Sequence, residues 1–116
     1  MQTPRYHVIF DIDHAGELIR DKKGLSRFMK KTVESIGMSV IAGPTVVEGI
    51  PENPGLSGFA ILDFSHISIH TFTAHDEALI DIFSCKPFDI PTVRERCLKE
   101  FGTADSTVRE KTVWWG

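Results

Sequence analysis

Apolar and polar residues alternate along 6–13, which puts Val8, Phe10 and Ile12 on one side and His7, Ile9, Asp11 and Asp13 on the other. A period of two with β-branched and aromatic content predicts a strand, and its apolar density predicts a central one. The period lengthens over 24–36, where Leu25, Phe28, Met29, Val33 and Ile36 form one stripe and Gly37 supplies a stop. That is the pattern of an amphipathic helix laid on a sheet. A second helix is predicted over 91–101, opened by Pro91 and closed by Gly102, with Val93, Cys97 and Phe101 on one face.

Strands are predicted over 38–47, interrupted at Gly43-Pro44, and over 57–64, with a Pro- and Gly-rich loop at 48–55 between them. The run at 78–83 fits strand or helix by pattern and is assigned strand for its brevity, and 106–115 alternates as a last strand. The resulting order, β-α-β-β-β-α-β, predicts an α+β fold: a two-layer sandwich with helices on one face of a mainly antiparallel sheet.

At 116 residues, with 41% hydrophobic and 25% charged residues, the chain reads as a single globular domain over 1–116. Its net charge of -3 is spread without blocks, which argues against nucleic acid as a partner. The first residues lack the apolar core of a secretory signal and no stretch is long enough to span a membrane, so a cytoplasmic location is expected. Cys97 falls on the apolar helix face and reads as a small buried hydrophobe, whereas Cys85 ends a strand-like run before Lys86-Pro87. Asp11 and Asp13 read as solvated carboxylates, and Trp114 and Trp115 as packing or interface residues.

The candidate chemistry lies in Ser65-His66-Ile67-Ser68-Ile69-His70-Thr71-Phe72, preceded by Gly55-Leu56-Ser57-Gly58 and followed by Asp81-Ile82-Phe83-Ser84-Cys85. Taken locally, Ser57 is a turn hydroxyl between glycines, and no G-x-S-x-G surrounds either serine, so a serine hydrolase is poorly supported. His66 and His70 have a helical metal-pair spacing, but on a β-branched segment it does not bring the rings together, and no metal is expected.

As a set, these motifs resemble the bacterial and archaeal S-adenosylmethionine decarboxylases over most of the chain, from Tyr6-His7 through Cys85. The resemblance implies that Ser65 becomes a pyruvoyl cofactor when the Phe64-Ser65 bond is cut. It implies that Ser57 and His70 assist this self-processing and that Cys85 returns a proton to the decarboxylated carbon. The chemistry is coherent: a carbonyl joined to the substrate amine drains charge from Cα, an imidazole titrates near neutrality, and a thiol is a competent acid. The product would supply aminopropyl groups for spermidine synthesis.

Two positions depart from the family pattern, which has Glu before the processed serine and Trp-Pro-Glu after the histidine. Here Phe64 stands at the first, and Phe72-Thr73-Ala74 at the second, so the carboxylate associated with the ribose hydroxyls is absent. Such a contact is worth about 2 to 4 kcal/mol, and Asp76 and Glu77 are the nearby substitutes. The alternatives are therefore a pyruvoyl-dependent decarboxylase of arginine or ornithine, and an uncleaved member with a binding or regulatory role. The family also implies a small-molecule site between two protomers of a homodimer; the 48–57 loop is then placed to serve the neighbour, and Phe72 and an apolar residue of that loop, Ile50 or Leu56, read either as flanking an adenine or as core or interface packing. Ser65 and His70 have opposite parity on a flat strand, which places Ser65 at a strand end or irregular turn, with regular pairing from about Ser68.

Overall fold

The computed structural model describes the backbone of residues 2–115 and the side chains of residues 2–113, so the side chains of Trp114 and Trp115 lie outside the described residues. Alternation makes β1 (Arg5–Asp13), whose Val8, Phe10 and Ile12 are fully buried. A short 3-10 turn at Glu17–Arg20, not expected from the pattern, leads into α1 (Lys22–Ser35). The Asp21 carboxylate caps α1 by accepting from the Gly24 N–H, and the predicted stripe of Leu25, Phe28, Met29, Val33 and Ile36 is buried. Gly37 ends the helix at φ 80°, a left-handed conformation that suits glycine.

Four strands follow: β2 (Val40–Ile50), β3 (Asn53–Leu62), β4 (Ser65–Phe72) and β5 (Glu77–Ser84). Then come α2 (Ile90–Phe101) and β6 (Thr107–Trp115). They form one antiparallel sheet in the order β2-β3-β4-β5-β1-β6, with both helices on one face. The α+β sandwich is as expected, and β1 is an interior strand. Three details are corrected.

The 65–72 motif is itself a strand, so the order carries one strand more than expected. Its odd positions Ile67, Ile69 and Thr71 are buried while Ser and His alternate with them, and the polar positions masked a period of two. The 48–55 segment is not a loop: β2 and β3 run through it to a tight turn at 51–52. β2 is an edge strand, where proline costs no needed ladder bond, and it continues past Gly43-Pro44 with register shifts. Finally, β3 stops at Leu62, and Asp63 and Phe64 form a two-residue turn closed by the Leu62–Ser65 pair.

The core lies between the helices and one sheet face. Phe28 and Phe101 meet edge to face at 4.9 Å, joining α1 to α2, and Cys97 is buried beside them as expected. Thr71 ties this layer to the sheet, donating its hydroxyl to the Ile19 carbonyl and accepting the Leu56 N–H. Gly55, at φ 151°, lies so close to the Thr71 carbonyl that any Cβ would overlap it. Among the described residues none forms a layer over the other sheet face, and Val47 (52%), Phe59 (45%) and Ile61 (45%) are exposed on it. Among the described residues no helix is long and apolar enough to cross a membrane.

Candidate active site

Pairing brings the nominated side chains to two places on the sheet. Ser57 on β3 lies directly opposite His70 on β4, and its Oγ is 2.9 Å from His70 Nδ1. Both point to the open face, which leaves the other imidazole nitrogen toward solvent. Phe72 follows on the same face by alternation. Ser57 is thus more than a turn hydroxyl between glycines.

The second cluster is five residues away along β4, about 16 Å at strand rise. Ser65 is the first residue of β4, with φ 145°, a conformation that L residues rarely adopt. Ser65 is therefore at a strand end, as expected, but its pairing is already regular, with Leu62 on one side and Ser84 on the other. Pairing does not wait until Ser68, because the two-residue turn closes the hairpin directly.

Neighbours hold this unusual backbone in place. Asp63 is joined to Ser39 twice, its N–H donating to the Ser39 carbonyl and its carboxylate accepting the Ser39 N–H, each at 3.0 Å. The Phe64 carbonyl accepts the Cys85 N–H at 3.0 Å. Ser84, fully buried, donates its hydroxyl to the Lys86 carbonyl and accepts the Lys86 N–H, so it braces the backbone on either side of Cys85. The half-buried Cys85 is thus anchored through its backbone beside the Phe64-Ser65 bond. The backbone role of Cys85 escaped the sequence reading. Recognising Asp63-Phe64 as a hairpin turn would have revealed it, since the register then follows.

Between the clusters an aromatic row crosses the open face. His66 stacks between Phe59 and Phe83 at 5.4 and 5.6 Å, Phe83 meets His7 edge to face, and His7 Nε2 is 2.8 Å from the Asp81 carboxylate. These residues share a face because all are at matching parity, a signal that was present in the sequence. His66 and His70 are about 13 Å apart on the strand. Among the described residues no group of three or more metal-ligating side chains gathers.

The other nominated residues lie elsewhere. Leu56 is buried on the helix side and Ile50 is 63% exposed near the hairpin tip, and both line a cleft of about 340 Å³ with Arg20, Pro51 and Thr73. Neither is brought to the Ser57–His70 face of its own chain. Asp11 is not a free carboxylate: it pairs with Arg109 at 2.8 Å. Asp76 is likewise engaged, accepting from Arg20 at 2.7 Å, whereas Glu77 lies opposite Phe72 on the open face.

The model of the S-adenosylmethionine decarboxylase family matches residues 6–112. The chain belongs to that family. A relative from Methanococcus maripaludis named S-adenosylmethionine decarboxylase proenzyme is 31% identical over 98 residues, 80% of this chain and 78% of the relative. One of the same name from Saccharolobus solfataricus is 26% identical over 106 residues, 90% and 81% of the respective chains. The crystal structure of the adenosylmethionine decarboxylase from Aquifex aeolicus superposes with a TM-score of 0.74 at 19% identity, over 96% of this chain and 91% of that one. That likeness establishes the fold. A family of proenzymes makes its pyruvoyl group from its own chain, and at the Phe64-Ser65 turn a serine at φ 145° follows a carbonyl that already carries a hydrogen bond.

Proposed function

We propose that this chain cleaves itself between Phe64 and Ser65 and then decarboxylates S-adenosylmethionine, as its family does, supplying aminopropyl groups for spermidine synthesis. The observation that carries the reading is the pairing of φ 145° at Ser65 with the Phe64 carbonyl held on the Cys85 N–H. The Ser65 hydroxyl adds to the Phe64 carbonyl carbon, and the charge that develops on oxygen is met by a donor already aimed at it. The C–N bond breaks, leaving an ester and a free amine on residue 65. Removal of the Ser65 α-proton then expels the Phe64 carboxylate. Addition of water and loss of ammonia leave a pyruvoyl group at the head of the 65–116 fragment.

The pyruvoyl group supplies the electron sink that lets a carboxylate leave from the substrate α-carbon. His70, hydrogen-bonded to Ser57, is the base for the α-proton step, since its imidazole is held in one orientation by the cross-strand contact. The Cys85 thiol returns a proton to the substrate carbon. Phe72, on the His70 face, packs on an apolar part of the substrate, and the exposed Ile50 serves the neighbouring protomer. Leu56, buried beneath the hairpin, supports that segment from within.

The two clusters are too far apart to act together within one chain. A two-fold partner laid face to face on the open sheet sets the Ser57–His70 end of one protomer against the Ser65–Cys85 end of the other. The exposed Val47, Phe59 and Ile61 fit such a covered face. The active unit is thus a cytoplasmic homodimer with two composite sites. Intact mass spectrometry under denaturing conditions tests cleavage: fragments 1–64 and 65–116, the second blocked at its start, are expected. A chain that stays whole after prolonged incubation overturns the reading.

A further inference from the structure

Lys86 reaches back from the segment after β5 to the turn that carries Phe64. Its ammonium donates to the Gly37 carbonyl at the end of α1, at 3.0 Å, and sits 4.9 Å from the centroid of the Phe64 ring. The base of the side chain is fixed as well, because the Lys86 backbone is bonded in both directions to the Ser84 hydroxyl. One ammonium therefore links the helix end, the strand end and the residue whose carbonyl is attacked. Phe64 itself is half-buried against the core.

We propose that Lys86 is a positioning residue for self-cleavage: it clamps the Phe64 ring and so keeps the Phe64 carbonyl on the Cys85 N–H while Ser65 holds its strained φ. The clamp suits an aromatic residue at position 64, where the attractive partner of a cation is the face of the ring. Phe64 has only two side-chain torsions, so fixing the ring through Lys86 and the core restrains its Cα, and the remaining freedom of the carbonyl, rotation about ψ, is what the Cys85 N–H has to hold. The carbonyl then stays aligned with its donor rather than rotating toward solvent. The inference rests on the reading of Phe64-Ser65 as the cleaved bond.

The test is a double-mutant cycle on the rate of cleavage, followed by intact mass on purified full-length protein. Lys86→Met is expected to slow cleavage about two- to fivefold, the range of a cation–π contact of this exposure. Lys86→Arg should stay near the wild-type rate. In a Phe64→Leu background, Lys86→Met should have little further effect, because the ring it acts through is gone. Hydroxylamine separates the steps, since it cleaves an accumulated ester: Lys86→Met should slow hydroxylamine-dependent cleavage as much as spontaneous cleavage, placing its effect before the ester. Equal rates for Lys86→Met and wild type, or the same slowing in the Phe64→Leu background, overturn the clamp while leaving the decarboxylase reading intact. Failure of the wild type itself to cleave overturns both. Thermal unfolding of each variant, expected within a few degrees of wild type, identifies slowing that comes from misfolding, and slowing that tracks a loss of folded protein counts against the clamp.

Discussion

Ser65→Ala and His70→Ala, each inactive alone, should together restore one competent site when the two chains share a dimer. Five strand residues separate the positions, about 16 Å, whereas a base must approach its proton within about 3 Å. A His70 in the same chain therefore cannot reach the Ser65 α-proton. The Ser65→Ala chain lacks the nucleophile but keeps the Ser57–His70 pair; the His70→Ala chain keeps Ser65 and Cys85 but lacks the base. In a two-fold dimer the first completes the second. Random pairing of equal amounts gives about half of the His70→Ala chains a competent partner, so about half of them should be cut and about a quarter of all sites become active. The assay is co-expression with distinguishable tags and intact mass measured over time, with decarboxylation as second readout. If the His70→Ala chain in mixed dimers stays whole while wild type is cut, the composite site is wrong. If that chain alone is cut at the wild-type rate, His70 is not the base.

Cys85 should separate the two activities. Cys85→Ser keeps the backbone N–H on the Phe64 carbonyl and loses the thiol, so cleavage should proceed near the wild-type rate while decarboxylation falls about 100-fold, as judged by fragment mass and CO2 release. The cysteines should also differ in reactivity: burial pushes the Cys97 thiol up to about 12, so iodoacetamide at pH 8 should label the native chain once, at Cys85. The same shift makes stability depend on pH. The unfolded chain loses the Cys97 proton near the ordinary thiol value of 9.0 and the folded chain only near 12, so the contribution is complete below 9.0 and is lost as pH rises toward 12. Denaturant midpoints across that range, compared between wild type and Cys97→Ala, check it.

The face of each regular element was legible because periodicity alone decides it. Val8, Phe10 and Ile12 against His7, Asp11 and Asp13, and the α1 stripe, follow from periods of two and 3.6 without any knowledge of neighbours. The 65–72 strand obeys the same rule, but serine and histidine at its solvent-side positions give it the look of a motif and mask the period. The 48–55 hairpin was hidden because proline and glycine signal a loop unless one knows that the strand is an edge, which only the full sheet order reveals. For the site, the sequence nominates Ser57, Ser65, His70 and Cys85, and the parity of Ser65 and His70 already demands an irregular serine. What it cannot reveal is register between distant strands. The Cys85 N–H on the Phe64 carbonyl and the Lys86 ammonium over the Phe64 ring are contacts across 21 and 22 residues, set by where β5 pairs with β4.

In the proposed cleavage at Phe64-Ser65, strain at that bond decides whether an uphill first step is accessible. Converting an amide to an ester is unfavourable, so a base waiting in the partner has nothing to act on unless the Phe64-Ser65 backbone is itself raised in energy. A residue held at φ 145° stores about 1 to 3 kcal/mol, roughly a five- to 150-fold shift in that equilibrium, provided its surroundings prevent it from relaxing. Asp63 is the pin on the far side of the turn, its carboxylate on the Ser39 N–H at 3.0 Å. Asp63→Ala removes that bond and leaves both backbone contacts, the Ser65 hydroxyl and the Cys85 donor in place. A carboxylate-to-backbone bond at an exposed turn is worth about 1 kcal/mol. Cleavage should therefore slow about fivefold, with the melting temperature lowered by only a few degrees and the decarboxylation rate per cleaved chain unchanged. Cleavage at the wild-type rate would show that the strain does not depend on this pin; a fall in turnover per cleaved chain would show that the turn acts in the later chemistry instead.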